Sequence, residues 1–84
     1  MSETRSNAES RPSMADLLAF ERAWLGRRRD GAYDAAVRQE FGVTTVRHLQ
    51  RVNALLDDPE AMALDPVTCR VLRSRRAAGM RQRG

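Results

Sequence analysis

Apolar residues recur at helical spacing in the first part of the chain and predict a helix over about 14–28. Ser13 stands three residues before Asp16, which is the spacing of a capping box at a helix start. Glu21 falls in the middle of the apolar face. Because a buried carboxylate without a partner is costly, we expect Glu21 to pair with an arginine or with backbone N–H groups, and the candidate arginines are Arg28 and one on a neighbouring helix. The apolar face of this helix comprises Met14, Leu17, Leu18, Phe20, Trp24 and Leu25.

The next stretch predicts two helices that are separated by a glycine turn. The first covers about 32–41, and Gly42 follows it at the position where a left-handed residue ends a helix. Thr44 is the predicted cap of the second, over about 45–57. The predicted inward residues are Tyr33, Ala36, Val37 and Phe41 in one helix and Val46, Leu49, Val52 and Leu56 in the other.

Two acid–proline pairs predict the remaining elements. Asp58-Pro59 starts a short turn of helix that runs through Met62 and Leu64. Asp65-Pro66 starts a last helix over about 66–78, with an acidic cap and proline at the first helical position. Gly79 is expected to end it. Its predicted inward residues are Val67, Val71, Leu72 and Ala78, and its predicted outward residues are Arg70, Arg73 and Arg76.

These elements predict an all-α fold, a small four-helix domain over residues 13–78 that contains a helix-turn-helix. Residues 1–12 carry almost nothing apolar, which predicts a disordered arm. Residues 79–84 are expected to form a loose basic tail. Because so few residues are available to form the core, a homodimer or a larger partner would help to stabilise the domain.

Charge is distributed unevenly along the chain. All fifteen basic residues are arginine, and the net charge is +4. Residues 1–65 carry nine arginines and eleven acids, whereas residues 66–84 carry six arginines and no acid. Such asymmetry attracts polyanions, although a solvated tail that only improves solubility would have the same composition.

The stretch from Ala36 to Leu56 has the features of a DNA-reading helix-turn-helix. Opposite its apolar stripe, the second helix of this stretch carries Arg47, Gln50 and Arg51, and these are the predicted base contacts because arginine suits guanine and glutamine suits adenine. A plain helical bundle would also expose such residues. The predicted phosphate contacts are Thr44, Thr45, Arg70, Arg73, Arg75 and Arg76, with Arg27–Arg29 as a second clamp.

The sequence contains none of the constellations that enzymes use. It has no phosphate loop, nucleophile triad or acid pair, so we expect no enzymatic activity and no cofactor. His48 and Cys69 are the sole histidine and cysteine, too few for a zinc site. We expect a histidine at the surface or at a groove edge and a semi-buried thiol. Glu21 is expected to be structural.

The leading hypothesis is therefore a transcriptional regulator that binds double-stranded DNA. The chain has no apolar run long enough to span a membrane, and no secretory signal, so a cytoplasmic, nucleoid-associated protein is expected. The alternative is a protein-interaction module that binds RNA polymerase, a sigma factor or another regulator. RNA binding is a third hypothesis, which is disfavoured because no exposed aromatic residue is predicted beside the arginines.

Several short motifs resemble a family of small actinobacterial proteins of unknown function. They are Phe20-Glu21-Arg22-Ala23-Trp24, Phe41-Gly42, Val52-Asn53-Ala54-Leu55-Leu56-Asp57 and Pro59-Glu60-Ala61, within residues 14–76. Members commonly carry aromatic residues where this chain has His48-Leu49. The turn is also similar to that of sigma-factor and resolvase-type domains. The resemblance implies an actinobacterium or one of its phages as the source, and it carries no activity.

Overall fold

The computed structural model describes residues 12–83, with side chains up to residue 79. Within that range every regular element is a helix, which confirms the all-α prediction, and the short turn predicted after Asp58 is a helix of its own. The five helices are α1 (Met14–Ala23), α2 (Gly31–Phe41), α3 (Thr45–Leu56), α4 (Pro59–Leu64) and α5 (Pro66–Arg83). Except for Pro12, the predicted arm over 1–12 lies outside the described residues, as does Gly84.

Short polar side chains begin the helices as predicted. Ser13 accepts a hydrogen bond from the backbone N–H of Asp16, whose side chain accepts one in return from Ser13, which completes the capping box. Thr44 caps α3 by accepting from the Arg47 N–H, and Asp58 caps α4 by accepting from the Glu60 N–H. Each cap satisfies an N–H that has no partner inside its helix.

The first helix is shorter than predicted. It ends at Ala23, where Trp24 and Leu25 donate to carbonyl oxygens only three residues back. The guanidinium of Arg27 then lies over the Trp24 ring, 4.1 Å from its centroid. This tighter turn takes residues 24–30 off the helical path, so Arg29 can fold back toward α1.

The last helix is longer than predicted and rotated about its axis. It continues past Gly79 to Arg83, so the expected basic tail continues this helix. Val67 and Ala78 are exposed, contrary to prediction, whereas Thr68 is fully buried. Thr68 is accepted inside because its hydroxyl donates to the carboxylate of Asp65 at 2.7 Å.

Two groups of buried side chains form the core. One is aliphatic and joins α1, α3, α4 and α5; the other is aromatic and joins the end of α1 to α2 and the turn after it. Cys69 is fully buried in the first group, deeper than expected. The aliphatic group comprises Leu17, Leu18, Val52, Leu55, Leu56, Ala61, Cys69 and Leu72, and the aromatic one Trp24, Tyr33 and Val37 with Phe20, Ala36, Phe41 and Val43 against it. No helix among residues 12–83 is long and apolar enough to cross a membrane.

Gly42 connects α2 to α3 with a backbone angle φ of 69°, in the left-handed region, as predicted. The Gly42→Ala variant should lower the free energy of unfolding by ~1 kcal/mol, because an L side chain disfavours this conformation. A Cβ atom at Gly42 would meet nothing within 4 Å, so the cost is confined to the backbone. Urea denaturation monitored by circular dichroism measures it.

Gly79→Ala is the matched control. Gly79 lies inside α5, and a Cβ atom there also meets nothing within 4 Å. Alanine is the better helix former, so this variant should gain about 0.5–1 kcal/mol. Equal effects of the two substitutions would contradict the left-handed turn.

Candidate nucleic-acid interface

The orientation of α3 depends on the carboxylate of Glu21, which is 1% exposed on α1. One oxygen accepts hydrogen bonds from the Tyr33 hydroxyl at 2.6 Å and from His48 Nε2 at 2.7 Å, and the other binds the guanidinium of Arg29. Because an ionised carboxylate can only accept, Nε2 of His48 carries a hydrogen atom. The predicted pairing of Glu21 with an arginine is confirmed, but the arginine is Arg29 and not Arg28.

Glu21 stays ionised in this environment. Burial by itself would raise the pKa of Glu21, but the hydrogen bonds from His48 and Tyr33 and the charge of Arg29 outweigh it and lower the pKa below its ordinary value of 4.5. Burial and the adjacent carboxylate raise the pKa of the Tyr33 hydroxyl, which therefore remains a donor. In this cluster the charge of Arg29 compensates that of the Glu21 carboxylate, and Tyr33 and His48 donate hydrogen bonds to it.

His48 is buried in an aromatic cage, so the expectation of a histidine at the surface or at a groove edge is wrong. Its exposed fraction is 0%, and its ring stacks on Phe41 with the centroids 5.2 Å apart. Phe20 and Tyr33 meet the same ring edge-on. Phe20, Glu21, Tyr33 and Phe41 come from two helices, so His48 fixes the rotation of α3 against both.

The inward position of His48 turns α3 by roughly 70° from the predicted orientation, on a wheel of about 100° per residue. Val46, a predicted core residue, is 67% exposed, and Leu49 is only half-buried. Val52 and Leu56 are buried as predicted. The apolar pattern of the sequence predicts a different rotation because it places the polar residue His48 at the surface and the apolar residue Val46 in the core.

The solvent-exposed face of α3 contains only some of the residues that the sequence predicts as base contacts. Arg47 and Gln50 are exposed, as expected, and Val46 joins them. Arg51 is half-buried, and its Nη1 atom is inaccessible and without a hydrogen-bond partner in the described part of the chain. We call Val46, Arg47 and Gln50 the outer face of α3. No acidic residue occurs anywhere in this helix.

The two threonines at the start of α3 differ in what they can still donate. Thr44 accepts from the Arg47 N–H, so its own hydroxyl hydrogen is free to donate to another group. Thr45 donates its hydroxyl hydrogen to Asp34 of α2 at 2.6 Å. Thr45 therefore has no side-chain hydrogen left for a phosphate oxygen, and Asp34 brings a negative charge to this end of α3.

Three of the four predicted phosphate-binding arginines of α5 are used inside the fold. Arg73 donates to the carbonyl oxygen of Leu56 at the end of α3, from Nε at 3.0 Å and also from Nη2. Arg75 donates to the carbonyl oxygen of Leu25 at 2.8 Å. Arg76 approaches the carbonyl oxygen of Asn53 at 3.5 Å and the carboxylate of Asp57 at 3.3 Å. The bonds to Leu56 and Asn53 satisfy carbonyl groups at the C-terminal end of α3, whereas Leu25 lies in the turn after α1. Of the four arginines, Arg70 alone is exposed and makes no hydrogen bond within the described residues.

The arginine run after α1 is divided in the same way. Arg27 covers Trp24 and Arg29 binds Glu21, which leaves Arg28 as the exposed member without such a contact.

The described residues contain no group of three side chains placed to hold a metal ion. Burial raises the pKa of the Cys69 thiol, and Asp65 adds to this effect.

A family model for a protein of unknown function, DUF3263, matches residues 11–84. The chain belongs to the DUF3263 family. The matched range contains all five helices, so the Glu21 cluster and the outer face of α3 both lie inside the family domain. No curated protein and no solved structure matches the chain. The resemblance to a family of unknown function, expected from the sequence, is thereby confirmed.

Replacing Glu21 should reveal its charge as a pH-dependent contribution to stability. Glu21→Gln should lower the free energy of unfolding by about 2–3 kcal/mol at pH 7, because hydrogen bonds to a charged acceptor are lost. The folded pKa lies below 4.5, so this contribution is complete above the unfolded pKa and is lost as pH falls through the folded pKa. The gap between the native DUF3263 protein and the variant should therefore narrow below about pH 4.5, as measured by urea titrations from pH 3 to 7.

Glu40→Gln is the control for this experiment. Glu40 is exposed on α2, so its replacement should change stability by less than ~0.5 kcal/mol at every pH. A gap between the native protein and Glu21→Gln that stays constant from pH 7 to pH 3 would show that Glu21 is not buried as an anion.

Proposed function

We propose that this DUF3263 protein binds double-stranded DNA through the outer face of α3 and regulates transcription, in an actinobacterium or one of its phages. The observation that carries the proposal is the exposure of Arg47, Gln50 and Val46 together, on a helix without acidic residues, directly after a tight left-handed turn at Gly42. A helix that follows such a turn is the element that enters the major groove in helix-turn-helix proteins.

The three side chains of this face match three different base features. Arginine can donate two hydrogen bonds to O6 and N7 of guanine, and glutamine can bond adenine in the same bidentate way. Val46 supplies an apolar surface for the methyl group of thymine. The apolar pattern of the sequence places Val46 in the core, so the sequence alone does not predict this contact. Arg51, with one nitrogen buried, makes a weaker candidate than Arg47.

Phosphate contacts would come from fewer groups than the composition suggests. The hydroxyl of Thr44, the first N–H groups of α3 and the exposed guanidinium groups of Arg28 and Arg70 are available for them. Arg73, Arg75 and Arg76 keep their positive charge but hold carbonyl groups of the fold. Their contribution is expected to be a long-range field that attracts DNA. A single small module binds weakly, so a homodimer on a two-fold site is expected.

One observation favours the second candidate, a module that binds RNA polymerase, a sigma factor or another regulator. Leu64 at the end of α4 and Val67 at the start of α5 are 58% and 53% exposed, close to each other in sequence. Neighbouring exposed apolar side chains are typical of protein contacts. Recovery of polymerase in a pull-down after nuclease treatment would support this candidate over DNA binding.

DNA binding is tested by titrating the full chain against duplexes selected from a random pool, at several salt concentrations. About four neutralised phosphates should give a slope of log affinity against log salt of about −3 to −4. Arg47→Ala should reduce the ratio of selected to random DNA affinity by roughly tenfold. Fluorescence anisotropy of labelled duplexes measures both quantities.

Arg70→Ala is the matched comparison because it removes the same charge from an exposed site on another helix. It should weaken binding to all duplexes alike and reduce the salt slope by about one, leaving the selectivity ratio unchanged. Equal losses of selectivity from Arg47→Ala and Arg70→Ala, or no binding at low salt, would refute the proposal.

A further inference from the structure

A groove of about 390 Å³ lies between α3 and α5, on a different side of α3 from its outer face. Its volume falls in the range of pockets that hold small molecules. The floor is aliphatic and comprises Leu49, Val52, Leu56 and Leu72. The residues of the outer face of α3 do not line it, and Arg29 is the one Glu21 donor that does. Arg75 and Arg76, which the sequence predicts as phosphate contacts, also line it.

The ionisable residues that line the groove are all arginines: Arg29, Arg75 and Arg76. Arg29 is neutralised by Glu21, and Arg76 lies 3.3 Å from Asp57. Arg75 hydrogen-bonds to a backbone carbonyl only, so no carboxylate in the described residues compensates its charge. The groove therefore presents one uncompensated positive charge beside an apolar floor.

We propose that this groove binds a small monoanion with an apolar body, such as a short aliphatic carboxylate, whose charged group meets Arg75 and whose hydrocarbon part lies on Leu49, Val52 and Leu72. A guanidinium has five N–H donors, and Arg75 uses one of them on the Leu25 carbonyl, so donors remain for a carboxylate. A cation is excluded by the three arginines, and a fully polar anion would leave the floor without a partner. Binding of this ligand in the groove does not depend on whether α3 binds DNA.

The probe is sodium octanoate, with octanol and octylammonium as uncharged and cationic counterparts of the same chain length. Octanoate added to the full chain should shift the methyl signals of Leu49, Val52 and Leu72 in ¹H–¹³C spectra, with a dissociation constant in the low millimolar range. Octanol should bind at least fivefold more weakly, and octylammonium should leave these signals unchanged. Because no DNA is present, the result is independent of the proposed function.

Two substitutions separate charge from shape. Arg75→Gln should weaken octanoate binding at least fivefold, whereas Arg75→Lys keeps the charge and should stay within about twofold of the native protein. Arg38→Gln removes a charge from an exposed site on α2, outside the groove, and should have no effect. Backbone ¹H–¹⁵N spectra of each variant verify its fold.

Any one of the following results would overturn the proposal. Equal binding of octanol and octanoate would show that the charge plays no role. Equal loss in Arg75→Gln and Arg75→Lys would show that Arg75 shapes the fold and does not bind the anion. Octanoate shifts confined to residues outside the groove would show that the ligand binds elsewhere. No shifts at all would exclude binding of this ligand, as expected if the groove instead accepts an acidic segment of a partner protein.

Discussion

A carboxylate is tolerated inside an aromatic core only when donors surround it, and Glu21 has three of them from three different segments. Tyr33 belongs to α2, His48 to α3, and Arg29 to the connection between α1 and α2. Removing any of these segments from its place would leave the charge of Glu21 partly unpaired. The relative positions of α1, α2 and α3 are therefore coupled through a single side chain.

The same physical device acts a second time at the start of α5. Asp65 accepts hydrogen bonds from the hydroxyl and the N–H of Thr68, and it also lies 3.2 Å from Arg22 of α1. The hydrogen bonds from Thr68, with the charge of Arg22, lower the pKa of Asp65 despite partial desolvation. In each case a hydrogen bond to a carboxylate stabilises a buried polar residue, His48 or Thr68. A valine on the same helix, Val46 or Val67, is exposed instead.

Local chemistry was predictable from the sequence, and long-range pairing was not. The caps at Ser13, Thr44 and Asp58 and the turn at Gly42 depend on groups within a few residues of one another, so spacing alone identifies them. The rotation of α3 depends on a bond between residues 27 positions apart. The unexpected position of Glu21 on an apolar face was the available signal, and combining it with the chain's sole histidine would have indicated an inward His48.

Charge counts overstated the number of arginines free for a partner for a similar reason. Arg73, Arg75 and Arg76 reach carbonyl groups 17 to 50 residues away, contacts that a helical wheel cannot reveal. The basic C-terminal helix thus binds the end of α3 and the turn after α1, and composition alone does not distinguish this role from that of an anion-binding surface. On the outer face of α3, the exposed side chains of Arg47 and Gln50 make no hydrogen bond within the described residues, and which residues form this face depends on the rotation set by His48.

That rotation can be measured directly by nuclear Overhauser spectroscopy of the full chain. We expect strong contacts between the His48 ring protons and the rings of Phe20 and Phe41, a hydrogen atom on Nε2 of His48, and no contacts from the Val46 methyl groups to the aromatic core. Val46 methyl contacts to Phe20 or Trp24, together with a solvent-exposed His48 ring, would contradict it and return α3 to the orientation that the apolar pattern alone predicts.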